Sequence, residues 1–460
     1  MAKKPRKTAK AEHLEVFGKT LPITGTLARR VDLFGIPIPV AGIAIVVGLA
    51  LIGFTIWGIV FSRAPAHITQ HIEHRYGVED SQFVRSMGVL LGPPLLPGNQ
   101  VDTLLNGDQI FPAMLQAIRS AHKTITFESY IYWKGETGKQ IADALAERAR
   151  AGVKVHVLLD WGGSSKMDQE SINQMGRAGV EILKYHEPRW FKYRHVNHRT
   201  HRKLLVIDGR VGFTGGVGIA DEWRGNAQDK DHWRDTHYRI EGPTVAQLQG
   251  AFGDNWTQAT GDVLHGDDYF PPLEPKGPLP AQMFKSSVEG GAESMQLMYL
   301  LSLAAAKRTI DLSMAYFIPD DHTLNHLVAA LRRGVRVRII IPGKHSDSWM
   351  VRRASRAHWG RILESGGEIY EYEPTMFHCK VLVIDGLCSS VGSTNFDNRS
   401  FRINDEANLN VYDRGFAQRQ LADFENDLKR ARRVTFEEWK TRPWYDKALD
   451  NIIAFFEPQL

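Results

Sequence analysis

Two stretches of this chain write histidine and lysine in the same register: "HRKLLVIDG" from residue 201 and "HCKVLVIDG" from residue 378, 177 positions apart. Side chains alternate between the two faces of a strand, so His201 and Lys203 point one way, as do His378 and Lys380. The apolar runs Leu204 to Ile207 and Val381 to Ile384 read as buried strands, and each Asp-Gly supplies a turn. One copy alone could be an edge strand carrying two solvated polar residues. Two copies in one register call for a joint purpose. Two imidazoles and two ammonium groups in one pocket suit phosphodiester chemistry without a cofactor. One neutral imidazole attacks phosphorus, and the other protonates the departing alcohol and then takes a proton from the incoming one. The ammonium groups neutralise the non-bridging oxygens as charge builds, a task otherwise given to a metal.

The elements that must position these residues are duplicated as well. "AHKTITFESYIYW" from 121 is matched by "AKRTIDLSMAYFIPD" from 305, "RARAGVKVHVLLD" from 148 by "ALRRGVRVRIIIP" from 330, and "AGVEILKYHEP" from 178 by "SGGEIYEYEP" from 365. Each half reads strand, amphipathic helix, Gly-Val turn into an apolar strand, helix, strand, then the His-Lys hairpin. This alternation predicts an α/β fold: two similar sandwich halves, each a mixed sheet flanked by helices. A pseudo-two-fold axis between them brings both His-Lys pairs into one cleft. The first half carries an extra segment, "RWFKYRHVNHRT", whose aromatic and basic residues suit a lipid headgroup or a membrane surface. His195, His198 and His201 repeat at a spacing of three, but zinc sites want further ligands from elsewhere and no metal is expected.

Composition is that of a folded protein, with 43% hydrophobic and 24% charged residues among 460. The two cysteines, Cys379 and Cys388, make no disulfide framework. Cys379 lies between His378 and Lys380 and faces the opposite side of the strand, which points to packing. The pI near 9.0 invites a nucleic-acid reading, yet the charge is local. Of 57 basic and 52 acidic residues, eight and two lie within residues 1–30, leaving 49 and 50 for the rest. A near-neutral body argues against binding to a phosphate backbone, so no nucleic-acid partner is expected. The basic tail leads into "IPVAGIAIVVGLALIGFTIWGIVF", residues 38–61, which as a helix spans about 36 Å and crosses a bilayer. The expected organisation is a basic cytoplasmic tail (1–35), a transmembrane helix (36–61), a linker (62–105), the two halves (106–270 and 271–425) and a helical tail (426–460). In that tail, Trp444, Ala448, Leu449, Ile452, Phe455 and Phe456 share a helical face, either packed on the domain or laid on a membrane.

The motifs resemble the phospholipase D superfamily, whose signature is His-x-Lys-(x)4-Asp followed by Gly-Ser or Gly-Gly. His201, Lys203 and Asp208 with Gly215-Gly216, and His378, Lys380 and Asp385 with Gly392-Ser393, match at every position. The resemblance implies roles for Gly216, Ser393 and Asn395 at the substrate; Gly218 stands in the first half where Asn395 stands in the second. It also implies a carboxylate behind each histidine, for which Asp235 in "WRDTH" and Glu406 in "NDEAN" are the best matches. Asp208 and Asp385, opposite in strand parity to their histidines, are expected to order the hairpins. "FESYIYW", "WRDTHYRIEGP", "GSTNFDNRSF" and the C-terminal "RRVTFEEWKTRPWYDKALDNIIAFF" resemble bacterial cardiolipin synthases over roughly residues 100–460. That resemblance implies a membrane-anchored phosphatidyltransferase that joins two phosphatidylglycerol molecules through a phosphatidyl-histidine. By the same resemblance, His201 attacks and His378 acts as general acid. A phospholipase D that admits water, or a nuclease, would use the same groups. Lys and Arg favour the cytoplasmic side, which puts the tail inside and the catalytic body outside a bacterial inner membrane.

Overall fold

The computed structural model describes residues 71–187, 197–287 and 295–457 throughout and parts of 13–68. The chain divides into two units, Met1–Ala64 and Pro65–Leu460. In the first, His13–Val16 pairs antiparallel with Lys19–Pro22, and Arg30–Leu33 with Ile36–Pro39. Residues 45–53 are helical, with Ile45, Val46, Leu49 and Ile52 exposed. The transmembrane helix expected over 36–61 is therefore corrected at its start. Pro37 and Pro39 each push the residue before them out of the α region, so "IPIP" extends as a strand. No helix among the described residues is long and apolar enough to cross a membrane. Residues 54–61 of the expected span lie outside the described residues.

The second unit is built on a 15-stranded sheet. Its strands in chain order are β1 (Leu96–Leu105), β2 (Thr124–Ser129), β3 (Lys154–Asp160), β4 (Glu181–Tyr185), β5 (Leu204–Ile207), β6 (Val211–Gly215) and β7 (Thr236–Glu241) from the first half. The second half supplies β8 (Leu279–Ser286), β9 (Thr309–Met314), β10 (Arg336–Pro342), β11 (Glu368–Tyr372), β12 (Lys380–Ile384), β13 (Cys388–Gly392), β14 (Glu406–Tyr412) and β15 (Ala431–Val434). Their order across the sheet is β15-β11-β10-β9-β12-β13-β14-β8-β1-β7-β6-β5-β2-β3-β4. Read outward from the central β8–β1 pair, the two sides repeat the same sequence of strands up to β11 and β4, with β15 added at one edge, as a two-fold relation between halves requires. In each half the three strands joined by helices (β2, β3, β4 and β9, β10, β11) are parallel, and the His-Lys hairpin joins them antiparallel. Gly152 and Gly334, at φ +89° and +87°, take the left-handed turn that ends a helix ahead of β3 and β10.

Burial follows strand parity. Leu204 and Val206 of β5, with Val381 and Val383 of β12, enter one core that runs across both halves under the helices Val245–Thr260 and Arg414–Leu428. Leu205 and Ile207 enter a core belonging to the first half, and Leu382 and Ile384 one belonging to the second. The two halves thus share one continuous sheet instead of forming separate sandwiches. The stretch expected as a linker, 62–105, holds the helix Ser81–Leu91 and all of β1. Its "LPGNQVDTLL" hides the strand, because Pro97, Gly98 and Asn99 break the alternation of apolar residues. Likewise β15, expected in the tail, forms an edge of the sheet beside β11.

Asp208 and Asp385 hold the hairpins to the strands beside them. Both stand at positive φ, +52° and +54°, a conformation Asp tolerates better than most residues. The Asp208 carboxylate accepts from the backbone N–H groups of His122, Lys123 and Thr124, ahead of β2. Asp385 accepts from Lys307, Arg308 and Thr309, ahead of β9. Replacing either by alanine strands three donors and should lower stability by about 1–3 kcal/mol. Asn, which keeps one acceptor oxygen, should cost less. Urea midpoints of Asp208→Ala, Asp208→Asn and the matching pair at 385 check this; unchanged midpoints for the alanine variants would contradict it.

Candidate active site

Each histidine sits just ahead of its hairpin strand, where the chain is stapled to the other half. Thr200 forms a parallel bridge with Asp405, and Phe377 with Arg234. His201 N–H donates to Asp405 O at 2.9 Å, and His378 N–H to Arg234 O at 2.7 Å. The residue following each staple partner is the carboxylate. His201 Nδ1 lies 3.0 Å from both oxygens of Glu406, and His378 Nδ1 lies 2.7 Å from Asp235 Oδ2. The histidine of each half is therefore held by the carboxylate of the other. A carboxylate only accepts, so each Nδ1 carries the proton and each Nε2 keeps its lone pair.

Two arginines fix the carboxylate residues from behind. Arg202, fully buried, donates to Glu406 O, Ser286 O and Ala251 O, and so ties both halves. Arg234 forks onto Asp427 at 2.9 and 2.8 Å and donates to Asp235 O. Neither was singled out by sequence, because an arginine next to a motif residue reads as solvated until its burial is known.

The ammonium groups lie against their own histidines. Lys203 Nζ donates to His201 O at 2.7 Å and Lys380 Nζ to His378 O at 2.8 Å, leaving further N–H bonds for a ligand. Burial dominates the electrostatics. It pushes His201 down to about 4, with the Lys203 charge acting in the same sense against Glu406. His378 is also lowered, by burial and then by Lys380, whose Nζ is 3.2 Å from both ring nitrogens. Burial lowers Lys203 to about 7 and brings Lys380 down as well. Burial opposes ionisation of Glu406 and Asp235, but the facing imidazole and ammonium groups outweigh it and hold both below their ordinary range. Near neutral pH both imidazoles are thus uncharged bases, backed by carboxylates ready to receive the charge of an imidazolium.

A cavity of about 470 Å³ joins the two histidines. Its first-half wall is largely apolar and aromatic, with Ile131, Trp133, Trp223 and Trp233. Its second-half wall is polar, with Asn395, Asp397, Arg399, Ser400 and Asn404. The Oδ1 atoms of Asn395 and Asn404 are buried without a hydrogen-bond partner among the described residues. Asn395 thus lines the cavity. Ser393 and Gly216 do not, which corrects their expected place at the substrate. The Ser393 hydroxyl donates to the Glu406 carboxylate and accepts from Ala407 N–H, with no exposed surface. At Gly216 a Cβ would come within 2.2 Å of Asp235 Oδ1, so only glycine fits. Asp235 takes its hydrogen bonds from Trp223 Nε1 and Thr236 N–H instead, both at 2.8 Å. Trp223 had no motif to announce it.

Cys379 packs among Ile340, Tyr372, Phe377 and Phe424, and burial pushes its thiol upward. Residues 189–196 of the aromatic and basic insertion, including His195, lie outside the described residues. Among the described residues no group of His, Cys, Asp and Glu is arranged to hold a metal ion.

Duplicated halves with exchanged histidine–carboxylate pairs across one cavity define a phospholipase D-like protein. The family described as "Cardiolipin synthase, PLD-like domain" matches residues 114–246 and 299–428. A cardiolipin synthase of Geobacillus kaustophilus is 35% identical over 370 residues, 80% of this chain and 74% of the relative. The major cardiolipin synthase ClsA of Bacillus subtilis is 34% identical over 79% of this chain and 76% of its own length. Among solved structures, the phosphatidylserine synthase of Haemophilus influenzae shares the fold at 15% identity, with a TM-score of 0.60 over 83% of this chain and all of that one. The chain belongs to the cardiolipin synthase family of phospholipase D-like enzymes.

Since a carboxylate behind Nδ1 fixes the tautomer, Glu406→Gln and Asp235→Asn should each cut turnover by about 10²–10⁴-fold with little loss of fold. Steady-state rates alongside thermal midpoints check this. Near-normal turnover in both variants would show that the exchanged pairs do not orient the imidazoles.

Proposed function

We propose that the protein transfers a phosphatidyl group between phosphatidylglycerol molecules to make cardiolipin and release glycerol. The observation that carries this reading is the pair of imidazoles at one cavity, each with Nδ1 held by a carboxylate and Nε2 left as a base. His201 Nε2 attacks phosphorus of the first lipid, forming the P–N bond as the P–O bond to glycerol breaks. His378, protonated when the anionic phosphodiester binds beside it, gives its Nε2 proton to the departing alkoxide. It then takes the proton of a hydroxyl on the second lipid's headgroup, whose oxygen displaces His201. Lys203, Lys380 and Asn395 face the non-bridging oxygens. His201 is assigned the attack because its depressed pKa keeps it neutral, with Glu406 to stabilise the charge that forms. The tryptophans of the first-half wall favour a lipid alcohol over water in the second step.

Labelled phosphatidylglycerol should yield cardiolipin and glycerol with the purified protein. His201→Ala and His378→Ala should each reduce this at least ~10³-fold in a folded protein. A quenched reaction should trap a phosphatidyl adduct on His201. Phosphatidate as the only product would replace transfer by hydrolysis, and an adduct found on His378 alone would exchange the two roles.

Membrane anchoring belongs to the same proposal. The run 40–61 is the anchor, residues 1–30 carry a net +6, and residues 62–81 a net −1. The positive flank favours a cytoplasmic tail with the catalytic body outside. Reporters fused after residue 80 and at the C-terminus should be active only in their extracytoplasmic form. Activity solely from cytoplasm-dependent reporters at both positions would reverse the orientation.

A further inference from the structure

The C-terminal helix Trp444–Ala454 is docked through its charges and leaves its large apolar side chains in solvent. Asp450 has no exposed surface and accepts from Arg353, Arg356 and Arg442, with contacts of 2.8–3.2 Å. Asp446 adds a second bond from Arg353, and Glu457, just past the helix, meets His358. Among the described residues of the helix the one buried apolar side chain is Ile453, in a cluster with Ile318, Val351 and Ala354. On the other side Trp444 is 78% exposed and Phe455 75%, and Tyr445, Leu449, Ile452 and Phe456 are exposed as well. At about 100° per residue these six fall within one arc of about 140°, and Asp446, Asp450 and Ile453 fall outside it. An ordinary surface helix turns its apolar stripe inward. Here the stripe is turned out.

Two further observations say what covers it. Ile453 touches the group that includes Tyr316, and Tyr316 lines the active-site cavity together with Asp347. Two residues beyond Asp347, Trp349 and Met350 are exposed at the start of the helix on which the C-terminal helix lies. The helix that carries the apolar face thus packs, through Ile453, on a cluster that also meets the cavity wall at Tyr316. Residues 429–447 hold seven basic and three acidic side chains; Arg442 is taken by Asp450 and Arg432 by Glu371 and Glu438, while Lys429, Arg430, Arg433 and Lys440 are exposed, a positive flank to the aromatic face. That combination is complementary to an anionic lipid surface, where tryptophan and phenylalanine enter at headgroup depth and basic side chains meet phosphate.

We infer that the outer face of Trp444–Ala454, with Phe455 and Phe456, docks on an anionic bilayer and holds the cavity rim at the lipid interface. The choice of a bilayer as occupant rests on the lipid-transfer reading; the outward face does not. Docking at the rim would let a phosphatidylglycerol headgroup reach the histidines with its acyl chains still in the membrane.

The test uses the full chain reconstituted in bilayers of phosphatidylcholine with or without phosphatidylglycerol. An environment-sensitive fluorophore is placed at Ile452→Cys; the native Cys379 and Cys388 are buried. The label should shift to the blue and be quenched by a nitroxide lipid at headgroup depth, more strongly with phosphatidylglycerol present. The triple variant W444S/F455S/F456S should lose about tenfold in turnover of bilayer substrate and stay within about twofold on a monomeric short-chain substrate. A label left unquenched in bilayers that support turnover would overturn the inference. So would a blue shift that tracks protein density without lipid quenching, which marks a second copy as the occupant. Quenching without any cardiolipin formation would uphold docking and remove the catalytic reading instead.

Discussion

Everything at this site depends on an exchange: the carboxylate of each half orients the histidine of the other. The exchange is enforced by backbone, since Thr200 and Phe377 bridge to Asp405 and Arg234, the residues directly before Glu406 and Asp235. A parallel bridge one residue ahead of both partners leaves them little freedom but to meet. The consequence is that neither half holds a complete orienting pair. Loss of the β8–β1 junction would part each imidazole from its carboxylate and leave two carboxylates unpaired in a low-dielectric interior. Unpaired buried charges cost several kcal/mol each, so assembly of the halves and assembly of the site are one event.

The same constraint explains how so many ionisable groups are buried together. Each carboxylate stays charged because an imidazole and an ammonium face it, and each imidazole stays neutral because burial and its neighbouring lysine oppose protonation. In the proposed reaction a phosphodiester at the lysines brings negative charge, which favours an imidazolium on one side. The ground state therefore holds the charge arrangement of the reaction nearly in place, with little left to reorganise.

The sequence made legible what is local. Period and turn chemistry gave the order of strands and helices in each half, and the parity of Asp208 and Asp385 put them on the hairpin rather than in the cavity. What escaped it is non-local. Nothing in "WRDTH" or "NDEAN" says that each carboxylate serves the histidine of the opposite half, because that follows only from how the two halves join. Ser393 next to a conspicuous glycine reads as a substrate contact, yet its hydroxyl is taken by Glu406. Strand β1 was hidden by Pro97 and Gly98, which sheet pairing overrides. At Ile36–Pro39 the local rule prevailed instead: prolines in alternate positions made a strand where hydropathy alone suggested the start of a helix.

The two halves are copies in backbone and differ in what surrounds each histidine. His201 has Tyr130 against its ring, at 5.1 Å between centroids, and a glutamate that also receives the Ser393 hydroxyl. His378 lies between Trp223 and Trp233, at 5.2 and 5.6 Å, and its shorter aspartate is held by the Trp223 indole. Gly216 makes that substitution possible: a serine there would collide with Asp235, so the hydroxyl donor of one half is replaced by an indole donor from a different element. Once the donor comes from Trp223, a tryptophan is brought to the cavity wall, and the first-half side becomes apolar. The second half keeps serine at that position and lines its wall with Asn395, Asp397, Arg399 and Asn404. Glycine against serine at one aligned position thus propagates into a cavity with an apolar and a polar wall. A symmetric cleft would treat its two alcohols alike. This one offers unlike surroundings to the two alcohols that the proposed transfer exchanges, one beside an aromatic wall and one beside a polar wall.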